Sequence, residues 1–197
     1  MKPKSGSLMM SESILWQRLD LPGHEACTVS AHKKGWQLAG TAVFAYDGMP
    51  CELSYHILCD AGWRTASARV AGRVGSDEVR LDISTDGAER WHLNGAVCPA
   101  VDGCIDLDLG FSPSTNLLPI RRHALEVGTS AEVVAAWLPF PSLTFEPLAQ
   151  VYRREDGQTY RYESWGGAFV RVLEVNAGGL VTHYPGLWKA EAATGAD

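Results

Sequence analysis

Turn signals set between alternating runs are what most constrain this chain. Residues 41–46 run into Asp47-Gly48, and residues 51–59 leave it with Cys51, Leu53, Tyr55, Ile57 and Cys59 on one face. Val79, Leu81 and Ile83 lead to Asp86-Gly87, and Trp91 and Leu93 return. Tyr152 leads to Asp156-Gly157, and Tyr160 and Tyr162 return. Residues 169–175 reach Asn176-Ala-Gly-Gly179, and residues 180–184 come back. Asp-Gly supplies the positive φ angles that a tight hairpin turn needs. Such turns specify antiparallel pairing, and residues 64–74 and 130–138 read as further strands. A dozen strands cannot lie as one flat sheet, so the sheet must curl or stack.

Helical signal is confined to residues 114–125. Ser114 or Thr115 can cap it, Pro119 fits its first turn, and Leu117, Leu118, Ile120 and Leu125 are its apolar positions. The expected fold is therefore mainly β: a long antiparallel sheet rolled around a single helix. One domain is expected over residues 13–190, with residues 1–12 and 191–197 as flexible tails. At 197 residues the chain is long enough to bury a sizeable core.

The richest stretch for chemistry is residues 104–122, Cys-Ile-Asp-Leu-Asp-Leu-Gly-Phe-Ser-Pro-Ser-Thr-Asn-Leu-Leu-Pro-Ile-Arg-Arg. A strand has a side-chain period of two, so Asp106 and Asp108 share one face and Ile105, Leu107, Leu109 and Phe111 the other. Carboxyls two strand residues apart lie roughly 6–7 Å from one another. That is close to the separation of an inverting glycosidase pair, though every Asp-x-Asp on a strand gives it. Carboxylates also accept hydrogen bonds from sugar diols. Arg121 and Arg122 follow on the helix. The plain alternative is a solvated strand face beside a salt-bridged helix. Glu25, Glu52, Asp60 and Glu146 stand in comparable settings, and together such acids would make an acidic concavity.

Net charge is −6, and the basic pairs are isolated, which argues against nucleic acid as a partner. No apolar run approaches the roughly 18 residues of a membrane helix. Five cysteines, an odd number without a C-x-x-C pair, read as reduced thiols in a cytoplasmic protein. The six histidines lack metal-ligand spacing, so neither metal nor cofactor is expected. Lys2, Lys4 and the Ser-Gly-Ser that follows do not read as a secretory leader.

Several segments together resemble a bacterial family described as putative glycolipid-binding. They are Asp106 to Asn116, Leu118-Pro-Ile-Arg-Arg122, Ala135-Ala-Trp-Leu-Pro-Phe-Pro141, Gln150-Val-Tyr-Arg153 and Gly179-Leu-Val-Thr-His-Tyr-Pro-Gly-Leu-Trp188. Trp16 with Gly23-His-Glu25, and Leu53-Ser-Tyr with Cys59-Asp and Trp63, add to the likeness. The resemblance covers nearly the whole chain, from Leu15 to Lys189. It implies the rolled sheet around one helix, a fold remotely similar to lipoprotein-localisation factors. It implies a homodimer and an acidic pocket binding a glycolipid. The pocket residues it carries over are Asp106, Asp108, Glu25, Asn116, Arg121 and Arg122. The expected function is a non-catalytic binder of a sugar-headed amphiphile. Two alternatives stand beside it: a sugar-acting hydrolase or isomerase using the carboxylate pair, and a structural module held by Asp–Arg pairs.

Overall fold

The computed structural model describes residues 11–33, 35–86 and 88–194. The first half of the chain forms β1 (Ser11–Arg18), β2 (Gly23–His32), β3 (Gly35–Tyr46), β4 (Met49–Cys59), β5 (Thr65–Val74), β6 (Asp77–Thr85), β7 (Trp91–Leu93) and β8 (Ala96–Val97). The second half forms β9 (Leu107–Leu109), helix α1 (Leu117–His123), then β10 (Ser130–Leu138), β11 (Glu146–Arg154), β12 (Thr159–Ser164), β13 (Phe169–Val175), β14 (Val181–Tyr184) and β15 (Trp188–Thr194). All fifteen strands belong to one sheet, ordered β8-β7-β6-β5-β4-β3-β2-β1-β15-β14-β13-β12-β11-β10-β9.

Each half is a meander of hairpins, and β1 pairs with β15 to join them. The expected turns sit where the sequence puts them. Asp47 and Gly48 take positive φ between β3 and β4. The Asp156 carboxylate accepts the backbone N–H groups of Gln158 and Thr159 between β11 and β12. Gly87, of the third Asp-Gly pair, lies outside the described residues. Asn94 and Gly95, both at positive φ, make a further turn between β7 and β8. Only β9 and β10 run parallel, because α1 is the crossover between them.

A short 3-10 turn at Ser114–Asn116 leads into α1, so helical backbone spans residues 114–123. Neither helix start has a side-chain cap. Leu117, Leu118 and Ile120 enter one apolar cluster with inward residues of both halves, including Trp16, Leu38, Leu53, Trp91 and Leu173. Each such side chain contributes about 1.5–3 kcal/mol by leaving water. Alternation is clear in β4, where Cys51, Leu53, Tyr55, Ile57 and Cys59 are buried and the residues between them face outward. All five cysteines are free, four of them as buried small apolar groups.

The sheet does not close on itself; its edge strand β9 instead meets the start of the interior strand β5. The Thr65 N–H donates to the Ile105 carbonyl at 3.2 Å, and the Leu107 N–H donates to Thr65 Oγ1 at 3.1 Å. These bonds tie β9 to the start of β5. The strands also reach past the expected domain limits, since β1 begins at Ser11 and β15 runs to Thr194. The rest of the expected tails, residues 1–10 and 195–197, lies outside the described residues.

Candidate functional site

β9 is covered on both faces. Leu107 and Leu109 are fully buried on one side. On the other, Asp106 is only 1% exposed and Asp108 is partly exposed. The expectation of a solvated strand face is therefore not met at Asp106, because α1 folds over it. Arg122 holds Asp106 with two parallel bonds, Nε to Oδ1 at 3.0 Å and Nη2 to Oδ2 at 2.5 Å. This is the bidentate geometry that a guanidinium and a carboxylate favour. It realises one of the Asp–Arg pairs considered from sequence.

Asp108 has a neutral partner instead. Its Oδ2 accepts from Gln150 Nε2 at 2.6 Å. Gln150 is buried on β11, beside the inward tyrosines Tyr152, Tyr162 and Tyr184. Burial pushes the Asp108 carboxyl up to about 6, against the hydrogen bonds from Gln150 and Thr115. Asn116 closes this region: its Oδ1 accepts from the Tyr152 hydroxyl at 2.9 Å. His123, at the end of α1, has a buried Nε2 with no partner among the described residues, and burial lowers its proton affinity.

Glu25 lies in a separate polar cluster. It is 1% exposed on β2. Its Oε1 accepts from the Tyr55 and Ser112 hydroxyls, each at 2.6 Å, and Ser112 Oγ also lies 2.7 Å from Ser114 Oγ. Its Oε2 is buried without a partner among the described residues. Burial pushes this carboxyl up to about 8, so it is mostly neutral at pH 7. The Ser-Pro-Ser-Thr-Asn segment links the two clusters. Ser112 serves Glu25 and is itself met by Ser114, Thr115 serves β9 through the Leu109 N–H, and Asn116 serves Tyr152.

Arg121 pairs with none of the three acids. Its guanidinium lies 5.2 Å from the centroid of the Trp63 ring, and Trp63 in turn stacks on Trp36 at 4.6 Å. Arg121 lines a cavity of about 660 Å³ between α1 and the sheet. Trp63, Ile120, Arg154, Tyr160, Val175 and Gly179 form much of its wall, and among the described residues no carboxylate lines it. Gly179 is required here. A Cβ would meet Leu117 Cδ1 at 3.2 Å and Ile120 Cγ2 at 3.3 Å, and its φ is +91°.

The family model described as putative glycolipid-binding matches residues 13–190. The chain belongs to that family. Among solved structures, this glycolipid-binding family member is similar to a DUF1089 family protein from Pseudomonas aeruginosa. The two share 30% identity over 96% of this chain and 98% of that one, with a TM-score of 0.74. It is also similar in fold to a beta-barrel-like protein of domain of unknown function DUF1849 from Brucella abortus. There the identity is 11%, over 96% of this chain and 99% of that one, with a TM-score of 0.56. No curated protein matches the chain.

Of the six residues singled out from sequence, the structure brings Asp106, Asp108, Asn116 and Arg122 into one region, sets Glu25 in a second, and places Arg121 at the cavity. Sequence reasoning missed Gln150, Ser112, Tyr55 and Arg154. Gln150 carried the one available signal: a polar residue at an inward position of an alternating strand, between Leu148 and Tyr152. Burial raises the Asp108 carboxyl, as a general acid would need. Yet both oxygens of Asp106 are committed to Arg122, which makes that carboxylate a counter-ion for the helix.

Proposed function

We propose that this protein is a non-catalytic binder of a sugar-headed amphiphile, and that the cavity between α1 and the sheet receives the ligand. The observation that carries this reading is the cavity itself: about 660 Å³ of space lined by apolar Ile120 and Val175 together with polar Arg121, Arg154 and Gln158. Small-molecule sites are concave, mostly apolar and fixed by a few polar groups. Membership of the glycolipid-binding family supports a sugar-lipid ligand. In this reading the buried Asp106–Arg122 pair fixes the helix that forms one wall, and Glu25 with Ser112 fixes the segment leading into it. A cytoplasmic setting and a homodimer belong to the proposal, supported by the odd cysteine count and by the family resemblance.

The test is native mass spectrometry of the full chain purified from a bacterial host, with lipid extraction. Ala177 sits exposed on the cavity wall. The expected result is a co-purifying glycolipid that is lost in Ala177→Trp while the unfolding temperature stays unchanged. Equal lipid in both proteins would remove the cavity from the proposal. A hydrolytic reading draws on the raised Asp108 carboxyl alone. Turnover of a glycoside that stops in Asp108→Asn would favour it.

A further inference from the structure

Arginine pairing in this acidic chain is uneven. Of twelve arginines, eight lie within 4 Å of a carboxylate among the described residues: Arg18, Arg64, Arg69, Arg80, Arg90, Arg122, Arg153 and Arg161. Two of the remaining four, Arg121 and Arg154, line the same cavity. Arg154 is fixed by carbonyls. Its Nε donates to Asp156, its Nη1 to Leu125 and its Nη2 to Gly157, at 2.8–3.0 Å. Carbonyls hold a guanidinium in place without neutralising its charge. Arg121 donates no hydrogen bond and forms no ion pair among the described residues, and it is the only arginine there of which this is true. The Trp63 ring beneath it limits where it can go, while its five N–H donors have no acceptor among the described residues.

The aromatic faces at this wall are already taken. Arg121 lies over Trp63 and Arg154 lies 5.8 Å from the Tyr160 centroid. The cavity therefore offers a ligand N–H donors and positive charge more than a stacking platform for a sugar ring. In a chain of net charge −6, two guanidinium groups facing one cavity, with no carboxylate in its wall among the described residues, form a local reversal of sign. We infer that the ligand's headgroup carries an oxyanion, a carboxylate or a phosphate ester, held between Arg121 and Arg154. The inference rests on the cavity being the ligand site. Arg121 is the fork that closes on the oxyanion, and Arg154 is the pre-set charge in the same wall. Charge-assisted bonds of this kind are short and roughly twice as strong as neutral ones.

The experiment is calorimetric titration of the full chain with three probes of equal tail length, each below its micelle concentration: octyl glucoside, octyl glucuronide and octyl phosphate. At least one anionic probe is expected to bind tenfold or more tightly than the glucoside, and the better of the two names the oxyanion. In Arg121→Gln the ratio of anionic to neutral affinity is expected to fall to about one, with the unfolding temperature of the wild type. Arg121→Lys, which keeps the charge but not the fork, is expected to fall between them. Equal affinity for all three probes would overturn the inference and leave the proposed function standing. An anionic preference that survives Arg121→Gln would overturn it as well. Binding of no probe would overturn both.

Discussion

Arg122 reaches back from α1 and grips Asp106 with two parallel hydrogen bonds, at 3.0 and 2.5 Å, where the carboxylate side chain is 2% exposed. The pair joins the helix to the strand sixteen residues earlier in the chain. Removing one partner of a buried pair leaves a desolvated charge, at about 3–5 kcal/mol. Arg122→Leu is therefore expected to lose most of that stability in urea unfolding. Asp106→Leu together with Arg122→Leu should lose clearly less than the sum of the two single substitutions. Additive losses would show that the two groups are not coupled.

Glu25 should make stability depend on pH in an unusual direction. Its carboxyl is raised from 4.5 to about 8, chiefly by burial. Between those values the folded chain holds more protons than the unfolded one. Stability from this group is thus full below pH 4.5 and is lost as pH rises towards 8, by on the order of a few kcal/mol. Asp108, raised from 3.8 to about 6, acts in the same sense but lower on the scale, so pH 6–8 isolates Glu25. Glu25→Gln keeps an acceptor for Tyr55 and Ser112 without the titration. It should flatten the melting profile between pH 6 and 8 and raise the midpoint at pH 8.

Ser112 sets the strength of that effect. Its hydroxyl bonds Glu25 at 2.6 Å and also accepts the Ser114 N–H at 3.1 Å. Ser112→Ala should cost about 1–3 kcal/mol, since it strands buried polar groups. The loss should be greater at pH 8, where Glu25 is ionising, than at pH 5. A loss equal at both values would mean that Ser112 does not stabilise the charged form.

Gly40 on β3 is where Tyr55 crosses the sheet. A Cβ there would lie 2.4 Å from the Tyr55 hydroxyl oxygen and 2.8 Å from the Ala26 carbonyl. Tyr55 is fully enclosed and holds Glu25, so it cannot simply swing away. Gly40→Ala should therefore destabilise by about 1–3 kcal/mol, as overpacking does, read as a drop in melting temperature. Restoration by Tyr55→Phe would trace the clash to the hydroxyl; no restoration would trace it to the ring or backbone.

Much of the fold was written in local chemistry. Asp47-Gly48 reads as a turn because two adjacent residues tolerate positive φ, and the inward set of β4 follows from a period of two. The helix was legible because residues 114–125 are the one stretch where apolar spacing and a proline in the first turn agree, though it ends two residues earlier, at His123. The site was less so. Ser112 and Glu25 stand 87 residues apart, and nothing near either names the other. Arg154 looked like half of a basic pair on a strand. In the fold its neighbour Arg153 turns to Glu155, while Arg154 faces the cavity. The acids stood out in the sequence as candidates for a pocket or a solvated face, but not as buried groups, and their partners come from β4, β11 and α1, which only long-range pairing brings together.

The strand order has a consequence for how the two halves hold one another. β8 and β9 stand at opposite edges of the sheet yet follow one another in the chain, while β1 and β15, far apart in the chain, pair at its centre. Joining residue 194 to residue 11 and opening the chain near Gly103 would turn the protein into one continuous zigzag, with every antiparallel neighbour local. In the native order the β1–β15 seam must find itself across the whole molecule. It is the step that converts two separate curved ribbons into a single wall, and with it the vessel that α1 and its cavity occupy.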